Sequence, residues 1–208
     1  MAATDRAAGR VVSVFGGSRA TETDAEYQDA YELGRLLAAR GYAVCNGGYD
    51  GTMAAVSRGA KDGGGRTIGV TVEALSWRNP NRWIDEEIST ATLFARLEQL
   101  ATLGDAYVAL RGGVGTLLEI MLVWNLLELQ TFPYKPIIAL GPGWRAALRA
   151  LPRHTAVRAS DLALIAFVRT PQEAVAHLER YFAGESVPPA ARRARAKGKT
   201  TSGAPRDQ

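Results

Sequence analysis

The chain of 208 residues is 47% hydrophobic and 22% charged, the composition of one ordinary globular domain. Its single cysteine, Cys45, excludes an intramolecular disulfide, and with only His154 and His177 beside it a Cys/His zinc cluster is excluded too. The net charge of +4 resides in the end of the chain, because residues 188–208 hold six Arg and Lys against Asp207.

That last stretch is rich in Pro, Ala, Gly and Arg/Lys and has no apolar period, so residues 188–208 read as a disordered basic tail. Its expected role is a solvated terminus rather than a nucleic-acid-binding arm. Residues 1–9 read as an N-terminal extension, and residues 10–187 as one domain. The longest apolar run, from Leu117 to Leu129, is broken by Glu119, Asn125 and Glu128, so no segment reads as membrane-spanning. Asp5 and Arg6 stand where an apolar signal region would be, and the expected address is the cytoplasm.

In chain order, the β-branched run 11–15 predicts a strand ending in Gly16-Gly17-Ser18. A helix follows over about 23–40, with Tyr27, Tyr31, Gly34 and Leu37 or Ala38 on one face. A second strand, 42–45, runs into Asn46-Gly47-Gly48, then a helix over 51–62 and a strand over 67–72. Residues 73–89, with Trp77 and Trp83, show no regular pattern. Next come a helix over 90–103, a strand over 106–110, the turn Gly112-Gly113-Val114-Gly115-Thr116 and a strongly apolar helix to about Gln130. A strand over 136–140, a short helix over 144–150 and a strand over 162–168 continue the alternation. Thr170-Pro171-Gln172-Glu173 reads as a capping box that opens the last helix, to about Phe182. Continuous apolar strands alternating with helices predict an α/β fold, a doubly wound, mostly parallel Rossmann-like sheet with helices on both faces.

In such a sheet ligands bind beyond the carboxyl ends of the strands. All three glycine turns fall there, each between a strand and a helix. One such turn is adequately explained as a tight connection. Three on one rim predict a phosphate-bearing ligand, because glycines let backbone N–H groups approach an anion and a helix N-terminus adds partial positive charge. The predicted binding residues are Gly17, Ser18, Gly47, Gly48, Gly112, Gly113, Val114, Gly115 and Thr116. Neither a Gly-x-Gly-x-x-Gly after the first strand nor a P-loop is present, which argues against dinucleotide redox chemistry and P-loop hydrolysis.

The segment Arg111-Gly-Gly-Val-Gly-Thr-Leu-Leu-Glu119 resembles the Pro-Gly-Gly-x-Gly-Thr-x-x-Glu signature of the Lonely Guy (LOG) family. The resemblance spans roughly residues 10–145 and includes Phe15-Gly-Gly-Ser18, Asn46-Gly-Gly48 with Gly51-Thr-Met53, and Phe94-Ala95-Arg96. It implies hydrolysis of the N-glycosidic bond of a nucleoside 5'-monophosphate, AMP-like or a cytokinin riboside monophosphate, with no metal or cofactor and in a homodimer. It assigns catalysis to Arg96 and Glu119. Arg111, Leu97 and Leu118 replace the family's Pro, Lys and frequent second Glu. A branch of the superfamily that binds nucleotides or the molybdenum cofactor without hydrolysis is therefore the alternative.

The residues themselves agree with this. Glu119, one turn beyond the glycines, is placed to stabilise an oxocarbenium-like ribosyl centre or to orient water; its plainer role is complementing the helix dipole. Arg96 is placed to pair with the phosphate or with Glu119 through its donor fork; its plainer role is a solvated or structural arginine. Pyridoxal phosphate chemistry needs a Schiff-base lysine, and Lys61, Lys135, Lys197 and Lys199 all fall away from the rim. Met53 and Met121 read as core, as does Cys45. His154 is expected in an arginine-rich loop and His177 on the last helix, both away from the rim. The helix containing Trp124 is apolar almost all round, which predicts burial at a subunit contact as well as in the core.

Overall fold

A computed structural model describes residues 9–75, 77 and 79–185. The N-terminal extension up to residue 8 and the basic tail lie outside the described residues. Seven parallel strands form one sheet: β1 (Val11–Phe15), β2 (Ala43–Asn46), β3 (Thr67–Val72), β4 (Glu86–Thr90), β5 (Ala106–Ala109), β6 (Ile137–Leu140) and β7 (Ile165–Val168), in the order β4-β3-β2-β1-β5-β6-β7. Six α-helices among the described residues cover its two faces: α1 (Ala25–Ala38), α2 (Thr52–Asp62), α3 (Leu93–Leu103), α4 (Val114–Glu128), α5 (Pro142–His154) and α6 (Pro171–Phe182). The doubly wound Rossmann-like sheet is the fold that the sequence predicts.

Alternation along each strand divides the interior into two layers. Val11, Phe15, Cys45 and Tyr107 face α3, α4 and α5, whereas Val12, Val14, Val44 and Val108 face α1, α2 and α6. On α1 the buried stripe is Tyr27, Ala30, Leu33, Gly34 and Leu37; Tyr31 instead turns outward and donates to Asp62 at 2.9 Å. Met53 is buried and Met121 packs against the core, as expected, and Cys45 is fully buried with its thiol pushed up to about 12.

Five local expectations are corrected. The segment 73–89 ends in an edge strand, β4; its Glu86, Glu87 and Ser89 are exposed or half-exposed and its apolar pattern is therefore short, as charged edge strands are. Thr90 closes β4, donating to the Thr71 carbonyl at 2.6 Å, and α3 starts three residues later with Thr92 as N-cap, its hydroxyl accepting from Ala95 N at 3.1 Å. Residues 161–164 form a 3-10 turn before β7. Helix α5 extends to His154, which is its last residue rather than part of a loop. At α6 the Thr170 hydroxyl accepts from Glu173 N at 3.2 Å as a capping box requires, but the Glu173 carboxylate reaches one residue further back, to Arg169 N at 2.7 Å.

Candidate active site

The chain leaves β1 toward β2, β3 and β4 on one side and returns to lay β5 on the other, so the switch in strand order lies between β1 and β5. The crevice beyond such a switch is where doubly wound sheets bind ligands. Two of the glycine turns meet there: Gly17 N donates to Arg111 O at 3.3 Å, and a Cβ on Gly17 would stand 3.1 Å from the Gly112 Cα. The Gly17 carbonyl in turn accepts from Thr52 N at 2.9 Å and from the Thr52 hydroxyl at 3.1 Å. Gly17 thus ties the first turn to the start of α2 and to the third turn.

The second turn is engaged as fully. Gly48 N donates to Asn46 Oδ1 at 2.8 Å, and its carbonyl accepts from Asn81 N at 2.7 Å and Asn81 Nδ2 at 3.0 Å. The same Asn81 amide also donates to Tyr49 O at 3.0 Å. Gly47 and Gly48 are buried, whereas Ser18 is half-buried and Gly112 through Gly115 are exposed around a buried Thr116. Gly113 and Gly115 have open space where a Cβ would stand, and Val114 is exposed. The first N–H groups of α4 have no partner within the helix, so this end of α4 is the part of the rim that presents free donors. Gly112 itself must lack a side chain, because a Cβ would fall on Thr116 Oγ1.

Below this turn lie the two charged residues. Arg96 and Glu119 are both buried, 9% and 7% exposed, with Nη1 and Oε1 3.7 Å apart. Arg96 is fixed on its other edges: Nε donates to Val70 O at 2.8 Å, Nη2 donates to Gly47 O at 3.3 Å, and the guanidinium lies 5.7 Å from the Tyr49 ring centroid. Burial pushes the Glu119 carboxyl up to about 7, against the opposing pull of the Arg96 charge. A carboxyl near neutrality takes up or releases a proton at little cost at physiological pH.

The residues read from the sequence as Arg96, Glu119 and the three turns therefore converge on one rim. Tyr49 and Asn81 went unnoticed. Asn81 lies in the segment without periodicity, and only its polar dipeptide neighbours, Asn79-Pro80, mark it as a turn. Of the replaced positions, Leu97 is buried, Leu118 is exposed, and the Arg111 side chain is 80% exposed with Nη1 3.5 Å from Glu26. A cavity of about 550 Å³ opens beside the third turn, touching Glu26, Arg111, Gly112 and Trp144 but neither Arg96 nor Glu119. The two described lysines are engaged elsewhere, Lys61 with Asp85 and Lys135 with the carbonyls of Ala101 and Thr102. No helix among the described residues is long and apolar enough to cross a membrane.

A parallel sheet whose switch point carries interlocked glycine turns above a buried arginine–glutamate pair defines a Rossmann-like protein. The model of the SLOG cluster4 family matches residues 9–174, and the chain belongs to that family. The cytokinin riboside 5'-monophosphate phosphoribohydrolase of Mycobacterium tuberculosis is 37% identical over 140 residues, 64% of this chain and 74% of its own. A probable enzyme of the same name from Oryza sativa subsp. japonica, LOGL2, is 29% identical over 185 residues, 83% of this chain and 73% of its own. Among solved structures, the molybdenum cofactor binding protein of Rippkaea orientalis superposes with a TM-score of 0.68 at 26% identity, over 84% of this chain and 98% of that one. The molybdenum cofactor carrier protein of Chlamydomonas reinhardtii gives 0.65 at 25% identity, over 84% and 99%.

Proposed function

We propose that the protein is a phosphoribohydrolase that cleaves the N-glycosidic bond of a nucleoside 5'-monophosphate, AMP-like or a cytokinin riboside monophosphate, to free base and ribose 5-phosphate. The observation that carries this reading is the buried Arg96–Glu119 pair, 3.7 Å apart, beneath the free N-terminus of α4. Relatives that bear the phosphoribohydrolase name support it.

In this reading the 5'-phosphate sits on the N–H groups of Gly113 to Gly115 and on Ser18, aided by the positive end of the helix. Gly17, Gly47 and Gly48 hold the turns in register. Glu119, ionised, lies under the ribosyl ring, where its charge stabilises the oxocarbenium-like centre as the bond from the anomeric carbon to the base nitrogen breaks. Water adds to that carbon while Glu119 takes its proton, and Glu119 then passes this proton to the nitrogen of the departed base and returns to its ionised form. Arg96 favours the ionised form of Glu119 and orients it. The chemistry of these residues needs no metal. The exposed Leu93 and Phe94 on α3 and Val114, Leu117 and Leu118 on α4 support a homodimer that covers this face. A cytoplasmic location fits a nucleotide substrate.

A second reading, a non-hydrolytic carrier of a nucleotide or of the molybdenum cofactor, is favoured by Leu118, an apolar residue on the exposed surface next to Glu119, and by the two cofactor-binding structural neighbours. Incubation of the purified protein with AMP and with cytokinin riboside monophosphates, followed by chromatography, separates the two. Release of free base supports hydrolysis, whereas intact ligand retained through gel filtration supports the carrier.

A further inference from the structure

Helix α5 carries Arg145, Arg149 and Arg153 at four-residue intervals, on one face and about 12 Å from end to end. Together with Arg169, just past β7, they line a cavity of about 560 Å³ whose floor is Gly141 and Pro142. Among the described residues none of the four forms an ion pair with a carboxylate. The Glu173 carboxylate accepts from the backbone N–H of Arg169 and leaves its guanidinium unpaired. Several other arginines do pair with carboxylates, Arg35 with Glu32, Arg40 with Glu179 and Arg158 with Asp161. Four cations facing one cavity repel one another, and no carboxylate among the described residues pairs with them.

Two of them are also held in place. The guanidinium groups of Arg145 and Arg149 lie 5.7 and 5.9 Å from the Phe167 ring centroid, and Arg145 Nη2 donates to Phe167 O at 3.1 Å. A donor fork fixed in this way gives up little side-chain entropy on binding. The first turn of α5 forms the same floor and adds its partial positive charge.

We propose that this cleft is a second anion site, separate from the Arg96–Glu119 rim, which takes a ligand bearing two or more contiguous phosphates. Several guanidinium groups on one cavity match a chain of phosphate oxygens, each accepting paired N–H donors. The volume is that of a small-molecule site. A single-stranded nucleic acid fits less well, because such strands stack their bases on open aromatic rings, and the half-buried Phe167 ring is already covered by the arginines. The phosphates reach the cleft either as inorganic oligophosphate or as part of a nucleoside polyphosphate. Gly141 and Pro142 also line the cavity beside Arg111 and Gly112, so the two cavities share a wall.

Isothermal titration calorimetry of the full chain at about 0.15 M salt, with inorganic tripolyphosphate, ATP, AMP and a single-stranded oligothymidylate, tests this. The expected result is binding of tripolyphosphate and ATP that weakens about tenfold or more when Arg149→Gln and Arg153→Gln are combined, since each removes a charge-assisted contact. Both residues are exposed, so the variant keeps its melting temperature; single Arg149→Gln serves if the pair fails to fold. Equal affinities for the two ligands identify the phosphates alone as the recognised group, and tighter ATP binding adds the nucleoside. No tripolyphosphate binding, binding indifferent to the substitutions, or preference for the oligonucleotide each overturns the proposal. Base release plays no part in this readout, so the proposal stands or falls independently of the hydrolase reading.

Discussion

The guanidinium of Arg96 occupies the place where a Cβ on Gly47 would stand, and the Gly47 carbonyl accepts from its Nη2 at 3.3 Å. The second glycine turn is therefore shaped around an arginine of this chain, and its absence of a side chain serves Arg96 directly. Gly47→Ala should displace Arg96 from Glu119 and lower base release by roughly 100-fold, the usual consequence of an ångström-scale misplacement in a catalytic group. The check is a rate assay on a variant whose circular dichroism matches that of the native chain.

Glu119 makes stability depend on pH in a definite direction. Its carboxyl is raised to about 7 in the folded chain from an ordinary 4.5. Its contribution is complete below about pH 4.5 and is lost as pH rises through about 7, because the folded state then holds an ionised carboxylate that burial disfavours. The loss is on the order of 3 kcal/mol. Urea unfolding from pH 4 to pH 8 should show the native chain losing stability relative to Glu119→Gln across that window. A constant difference would contradict the raised value.

Asn81 braces the second turn from outside, through two carbonyls. Asn81→Ala removes both of these side-chain bonds and the one that its Oδ1 accepts from Trp83 N at 3.2 Å, and should cost about 1–3 kcal/mol in urea unfolding. It should also lower kcat more than it raises KM, since the turn that seats Arg96 loosens and Arg96 orients Glu119.

The exposed apolar residues at the starts of α3 and α4 predict a dimer that one charge can break. Phe94, 85% exposed, and Leu117, 41% exposed, each change to Glu with little effect on the fold of one subunit. Light scattering after gel filtration should show the native chain as a dimer and either variant shifted to monomer. A native monomer would remove this surface from the account.

Much of this was legible because the signals were local. Val11–Phe15, Ala106–Ala109 and Ile137–Leu140 are buried, continuous apolar strands, and each glycine turn follows a strand directly. Arg96 and Glu119 came from a spaced motif, and the ion pair between them depends on chain segments far apart in sequence. Strand β4 was missed because Glu86 and Glu87 at the sheet edge interrupt its pattern, and Asn81 because its importance lies in which carbonyls it meets. The arginine face of α5 repeats every four residues and was readable, but its meaning depends on Arg169 and Phe167, which only the fold brings beside it.

The central claim is that Glu119 acts on the ribosyl centre, and Glu119→Gln tests it most directly, with base release and AMP binding measured on the same preparation. The substitution keeps the shape and removes the charge. Release should fall by roughly 100-fold or more, while AMP binding persists on the free N–H groups at the start of α4. Base release near the native rate, with binding intact, would contradict the account.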